Sequence, residues 1–286
     1  MEMHRNIATL PVRRFATGSA EDTQDLVAVE EPLQISVDGR DLAIAMRTPG
    51  HDRDLAVGFL FTEGLLQRPE QIEAIAQDGK GGIHITLAAG SRLDPERFAR
   101  NFYLTSSCGV CGKASIDALR RLGCPDTARD RPRIEAALIS SLPDRLRTAQ
   151  PVFDRTGGLH AAGLFDAASG ELLLLREDVG RHNALDKVVG AAFLGKLLPL
   201  DRSILCLSGR ISFELVQKAL MAGIPIVAAV GAPSSLAVET ARRFGMTLAG
   251  FVRGTRFNVY SGASRVQGLV HAASAASLAE PGLPGQ

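Results

Sequence analysis

From residue 33 the chain alternates apolar and polar positions. LQISVDG predicts a strand, Asp38-Gly39 a tight turn, and DLAIAMRT the returning strand. The period then lengthens. In DLAVGFLFTEGLL, Leu55, Phe59 and Leu66 can share one face of a helix. GGIHITLA and FYLTSS read as further strands, so the first hundred residues predict a β-rich lobe with one helix.

The second half has a different rhythm. KASIDALRRLG predicts a short helix stopped by Gly123, and RIEAALISSLPDRLRTAQ helix on either side of Pro143. GGLHAAGLFD and ELLLLRED predict two strands joined by the turn AASG, followed by the helix RHNALDKVVGAAFLG. Then SILCLSG, IPIVAAVG and MTLAGFVR, apolar along their length, alternate with the helical patterns SFELVQKALMAG and SSLAVETARRFG. Continuously apolar strands alternating with helices predict an α/β sheet covered on both faces. Right-handed crossovers would bring the loops after these strands, SGR, GAPSS and VRGTR, to one sheet edge. The expected organisation is a β-rich lobe over residues 25–105 and an α/β domain over 106–270. Residues 1–24 and the small, Gly/Pro-punctuated segment 271–286 read as loose termini.

Composition narrows the function classes. A chain of 286 residues with 22% charged and 45% apolar residues is an ordinary globular composition. A net charge of +1 provides no global field for nucleic acid or an acidic membrane surface. Trp is absent, which leaves few platforms for stacking bases. No run approaches the roughly 18 apolar residues of a membrane span. MEMHRNIATLPVRR lacks the apolar centre of a secretory signal, so a cytoplasmic protein is expected.

Four cysteines occur, Cys108, Cys111, Cys124 and Cys206, and in that compartment a structural disulfide is not expected. SSCGVCGK places Cys108 and Cys111 in a glycine-rich loop before a predicted helix, beside Lys113. A helix N-terminus and a nearby cation lower a thiol's pKa and favour a nucleophilic sulfur. A second thiol can resolve a persulfide or disulfide by exchange. The motif alone leaves four readings open: structural zinc completed by Cys124 and Cys206, a thioredoxin-like redox pair, a sulfur carrier, and an incidental pair. Zinc-dependent nucleobase deamination is disfavoured. The residues two after His51, His84, His160 and His182 are Arg, Thr, Ala and Ala rather than Glu, and Ser rather than Pro precedes Cys108.

Two further constellations stand out. REDVGRHNALDK, residues 176–187, crowds charges around a strand-to-helix turn. Asp178 or Asn183 could cap the helix there, and His182 could be a general acid or base or an orienting group, against the alternative of a solvated charged turn. The predicted sheet edge carries Arg210, Ser234-Ser235 and residues 251–256. Small residues at helix N-termini suit phosphate, and Arg210, Arg253 and Arg256 could pair with it bidentately. Ordinary βα turn chemistry explains the Gly and Ser but not the three arginines. His160, in an apolar strand, reads more readily as a core residue than as a site residue.

An ordered series of segments resembles the formate dehydrogenase accessory sulfurtransferases, the FdhD family. The segments are FTEGLL (61–66), SSCGVCGK (106–113), TGGLHAAGL (156–164), EDVGRHNALDK (177–187), SGRISFELVQKA (208–219), GAPSSLAVE (231–239) and GFVRGTRFNVYS (250–261). They run from about residue 25 to 270. The resemblance implies a cytidine deaminase-like α/β sandwich without that zinc chemistry, and a homodimer. It implies that a cysteine desulfurase loads sulfur on Cys108 as a persulfide, with Cys111 assisting. The sulfur would pass to the molybdenum of bis(molybdopterin guanine dinucleotide), for a formate dehydrogenase. The cofactor would bind near Phe251, Val252, Arg253, Gly254, Thr255 and Arg256, with Arg210, Ser234 and His182 as further candidate contacts and no resident metal. Cys124, Cys206 and the Ala-rich tail fall outside the resemblance.

Overall fold

The computed structural model describes residues 6–93, 119–120, 123–127 and 132–268. The strand FYLTSS, the helix after the cysteine pair except its last turn, and the pair itself lie outside these residues.

The chain begins with a hairpin where loose chain was expected. β1 (Ile7–Ala16) and β2 (Ser19–Ala28) pair antiparallel from Ile7↔Ala28 to Ala16↔Ser19. Gly18, at φ 81°, supplies the left-handed turn. Cross-strand Arg13–Asp22 and Arg14–Glu21 pairs sit near the tip. Most of the ribbon is exposed on both faces, so it lacks the one-sided apolar alternation that would betray a strand.

β3 (Glu31–Val37) and β4 (Arg40–Arg47) are joined by Asp38 and Gly39, both at positive φ, as a type I′ turn requires. With β5 (Ile72–Gln77) and β6 (Gly82–Leu87) they form a sheet in the order β4-β3-β6-β5. Between them runs α1 (Asp52–Thr62). It ends before the predicted Leu66 because Gly64, at φ 74°, turns the chain. Leu65 and Leu66 then bury themselves outside the helix.

The main sheet has the order β13-β12-β11-β10-β8-β9. β8 (His160–Asp166) and β9 (Leu172–Asp178) form the predicted hairpin. β10 (Ser203–Leu207), β11 (Ile226–Ala229) and β12 (Thr247–Arg253) are parallel neighbours, as expected of apolar strands joined by helices. β13 (Arg256–Ser261), not anticipated, returns antiparallel along β12. A short β7 (Ile134–Glu135) pairs with β14 (Val266–Gln267) away from the main sheet.

Helices cover both faces of the main sheet. α2 (Ala136–Thr148), continuous through Pro143, lies over Ala161, Phe165, Ile204 and Cys206. α3 (Pro151–Thr156) follows it. α4 (Arg181–Leu194), α5 (Phe213–Met221) and α6 (Ser235–Arg243) cover the face bearing Ala162, Leu164, Leu205 and Leu207. The strands alternate their side chains between the two clusters. Leu33, Ile35, Ile83 and Ile85 of the smaller sheet belong to the same cluster as Leu185, Val188 and Leu205, so the β-rich lobe shares its core with the α/β part. Among the described residues no helix is long and apolar enough to cross a membrane.

Candidate functional site

Three loops meet at the C-terminal ends of β10, β11 and β12. They stack backbone on backbone: Gly231 N donates to Gly209 O at 3.1 Å, and Phe251 N to Gly231 O at 3.2 Å. A β-carbon on Gly231 would lie 2.7 Å from Gly209 O, so only glycine allows this approach. Ile211 N and Ala232 O, then Ser234 N and Ile211 O, continue the contact at 3.0 and 2.9 Å. The sequence expectation that SGR, GAPSS and VRGTR share an edge holds.

This edge carries cations and one unusual aromatic. Phe251 is 50% exposed at φ 54°, a conformation a bulky side chain adopts only when its surroundings impose it. Here the imposing feature is the register shift between Gly250 and Arg253 on β12. Val252 turns the other way: its side chain is 1% exposed in the core, leaving only its backbone for a ligand. Arg253 pairs with Arg256 across the Gly254-Thr255 turn, with Gly254 at φ 56°. Like charges placed directly opposite oppose strand pairing. Neither arginine, nor exposed Arg210, makes an ion pair with a described residue. Among the described residues, then, the site's three guanidiniums have no acidic partner. Ser234 caps α6, its Oγ accepting from Ala237 N at 3.2 Å. That leaves its hydroxyl proton for a ligand.

His160 and Asp178, paired across β8 and β9, reach the same edge. The His160 ring packs over Gly209, where an added β-carbon would lie 3.3 Å from its Nδ1. It faces the edge rather than the core. Burial, then Arg181, lowers its pKa. His182, in the first turn of α4, places Nε2 3.1 Å from Ser212 Oγ and 4.0 Å from Glu214 Oε2. Burial, with help from Arg181 and Lys218, lowers it to about 4. His182 is thus a neutral imidazole near pH 7, suited to hydrogen bonding rather than to charge pairing.

Much of the 176–187 motif is scaffolding. The fully buried Asp178 carboxylate accepts from Lys187 Nζ (2.7 Å), Gly180 N (2.8 Å), Asn183 Nδ2 (3.0 Å) and Thr48 N (3.2 Å). Asn183 also donates to Met46 O, and Lys187 to Thr48 O. A second knot joins Lys218 to Asp186 at 3.0 Å and to Glu63 at 3.3 Å. Neither knot is the solvated charged turn that composition alone would suggest. They tie the smaller sheet and α1 to the helices behind the site. Thr48 and Lys218 were missed in the sequence because their partners are more than 100 and 30 residues away.

Cys108 and Cys111 lie outside the described residues. Cys124 Sγ sits 3.2 Å from Met221 Sδ, and burial raises the thiol to about 12. Cys206 is wholly buried and likewise raised to about 12. The two belong to clusters on opposite sheet faces, so they do not jointly complete a zinc site. Among the described residues no His, Cys, Asp and Glu group could hold a metal ion.

Comparison with known proteins places this geometry. The model of the FdhD/NarQ family matches residues 28–267. The chain is 51% identical over 265 residues to a sulfur carrier protein FdhD of Streptomyces coelicolor, covering 89% of this chain and 94% of that one. It is 44% identical over 260 residues to one of Sulfolobus acidocaldarius, covering 91% and 98%. The crystal structure of a protein described as a formate dehydrogenase accessory protein, from Desulfotalea psychrophila, superposes with a TM-score of 0.72 at 27% identity, over 91% of this chain and 99% of that one. On the family match over most of its length and on these relatives, the chain belongs to the FdhD/NarQ family.

Proposed function

We propose that this protein is a sulfur carrier for formate dehydrogenase maturation. It accepts persulfide sulfur from a cysteine desulfurase on Cys108 and passes it to molybdenum bis(molybdopterin guanine dinucleotide). The observation that carries the reading is the edge that brings Arg210, Arg253 and Arg256, none with an acidic partner among the described residues, together with exposed Phe251. Free guanidiniums suit pyrophosphate, and an exposed ring suits a nucleobase. The names of the relatives add the sulfur. A homodimer working in the cytoplasm belongs to the same reading.

The chemistry balances with the chain's own thiols. Loading moves the terminal sulfur of a desulfurase persulfide onto the Cys108 thiolate, and the desulfurase thiolate leaves. The sulfur delivered is at the sulfane level, so release as sulfide takes two electrons. Cys111 can supply them by closing a disulfide with Cys108. A low Cys108 pKa serves the loading step, because it keeps the attacking sulfur as thiolate near neutral pH.

The test is intact-mass spectrometry after incubation with a cysteine desulfurase and cysteine, followed by peptide mapping. The expected result is one added sulfur on the peptide holding Cys108. No added sulfur, with a donor shown competent on a control acceptor, would replace the carrier by a non-covalent cofactor chaperone, which the arginine edge would serve equally.

A further inference from the structure

The smaller sheet is packed on one side. Leu33, Ile35, Ile83 and Ile85 point into the shared core, so the alternate residues of the same strands point outward. On β4 the outward pair is Ile44 and Met46, which are 66% and 49% exposed. They lie opposite Gln34 and Pro32 of β3. β6 adds His84 and Thr86, and β5 sets Ala76 and Ala74 beside them. Nothing among the described residues covers Ile44 and Met46.

The wet face of such a sheet ordinarily carries polar and charged side chains in alternation with the core. Here the middle of the face carries no Lys, Arg, Asp or Glu. Charges are confined to its margin: Arg40 and Asp41 beside the β3–β4 turn, Asp78 and Lys80 in the β5–β6 turn, and Glu73 at the β5 bulge. Asp78 fastens its own turn, Oδ1 accepting from Lys80 N at 2.7 Å and Gly82 N at 2.8 Å. The one titratable ring in the middle is held within the face, His84 Nδ1 lying 2.6 Å from Ser36 Oγ. An uncharged centre inside a charged margin is the anatomy of a protein–protein contact. The face is also tied to the site: Asn183, in the first turn of α4, donates to Met46 O at 2.7 Å.

We infer that this outer face is the surface through which two copies of the chain associate, packed sheet on sheet about a two-fold axis. A two-fold contact places the same patch on both sides, so the patch must suit itself. This one does. Its centre offers no charge that a second copy would leave buried and unpaired. Its margin carries both signs, Arg40 and Lys80 against Asp41, Glu73 and Asp78. A flat face also matches a flat face, at the ~10 Å separation of stacked sheets. The outward half of the sheet's strands, with their two turns, supplies about twenty residues, the lower end of a standard interface. A strongly acidic or basic partner would find no counter-charge at Ile44 and Met46. The inference rests on the homodimer in the reading above and names its contact surface.

The experiment measures the mass of the full-length protein by sedimentation equilibrium across micromolar concentrations. It compares the parent with Ile44→Lys, Thr86→Arg and, on the exposed hairpin, Phe15→Lys. The parent is expected to be a dimer. Ile44→Lys and Thr86→Arg should each raise the dissociation constant at least about a hundredfold, since a two-fold contact meets each substitution twice. Both positions face water in the single chain, so the circular dichroism spectrum should be preserved, and Thr86→Arg serves alone if Ile44→Lys loses its fold. Phe15→Lys should leave the dimer intact. The dissociated variants should still load sulfur on Cys108, which keeps a failure here separate from a failure of the carrier chemistry. A dimer unchanged in both face variants overturns the inference and leaves the homodimer standing on another surface, the hairpin if Phe15→Lys alone dissociates it. A parent that is monomeric throughout overturns both the homodimer and its surface. If that monomer loses sulfur loading from a cysteine desulfurase in Ile44→Lys, the face belongs to the desulfurase, and the second copy is overturned as its occupant.

Discussion

Gly58 in α1 and Gly190 in α4 face each other where the two helices cross, each so close that a β-carbon on it would enter the other helix's backbone. A β-carbon on Gly58 would lie 2.9 Å from Gly190 N and overlap the Asp186 carbonyl; one on Gly190 would lie 2.7 Å from Gly58 N and overlap the Asp54 carbonyl. The crossing joins the first part of the chain to the helix that begins with Arg181 and His182. On an open helix, Gly→Ala would be stabilising by up to about 1 kcal/mol. Here Gly190→Ala is expected to destabilise by about 3 kcal/mol, read from urea unfolding. A variant as stable as the parent would mean that the helices are farther apart.

Behind the site, Lys187 and Asp178 form an ion pair that is 1% and 0% exposed. Removing one partner leaves a buried charge without its counterion, at a cost of about 3–5 kcal/mol. Lys187→Met should therefore lower the urea midpoint sharply. Because Asp178 also holds the Thr48 and Gly180 amides, the same variant should increase amide exchange at both positions. Protection unchanged at Thr48 would show that the carboxylate does not tie the smaller sheet to α4.

The difference between these knots and the strands explains what could be read beforehand. β10, β11 and β12 announced themselves because burial on both faces demands unbroken apolar runs, and that pattern is local. The shared edge followed from crossover handedness alone. β1 and β2 stayed hidden because a ribbon with two wet faces needs no apolar alternation. β13 stayed hidden because RFNVYS gains its place by pairing with β12 rather than by its own pattern. Lys187 looked like a solvated charge because nothing near it in sequence reveals Thr48, 139 residues away. His160 read as core because its apolar neighbours are core, yet it is the terminal residue of its strand and turns to the edge.

His182 gives a prediction in pH. Its folded value of about 4 lies below the ordinary 6.5, so between those values the unfolded chain binds more protons than the folded one. Its contribution is fully present above pH 6.5 and is lost as pH falls toward 4. Because the ring remains 37% exposed, the loss is smaller than complete burial would produce. His182→Gln should flatten the fall in melting temperature over that window and leave the region above pH 7 unchanged. An identical acid limb in both proteins would remove His182 from the account. His160, shifted in the same direction, should retain part of the slope.

At the hairpin tip, Arg253 and Arg256 oppose each other without an acidic partner among the described residues. Arg256→Ala should relieve that repulsion, so the melting temperature should hold or rise slightly. It should also weaken GDP binding about tenfold, the worth of one charge-assisted hydrogen bond, and reduce the dependence of binding on salt. Persulfide loading on Cys108 should be unaffected, because loading needs no nucleotide. Phe251→Ala should weaken GDP with no change in salt dependence, separating stacking from charge. Equal GDP affinity in Arg256→Ala and the parent would withdraw the phosphate role from this turn.

Cys108 and Cys111 should separate in a dehydrogenase reconstitution. Serine keeps the size of cysteine but is not a usable nucleophile at neutral pH, and it cannot hold a sulfane sulfur. Cys108→Ser should therefore abolish both the added sulfur and maturation. Cys111→Ser should still load Cys108, because loading consumes one thiolate, but should deliver more slowly. Without Cys111 the two electrons for sulfide release must come from an added thiol. Dithiothreitol should then restore Cys111→Ser toward the parent rate and do nothing for Cys108→Ser. If Cys108→Ser matured the dehydrogenase as well as the parent does, the persulfide would sit elsewhere or not exist. If Cys111→Ser were fully active without added thiol, the electrons would come from the acceptor, and the second cysteine would have no part in delivery.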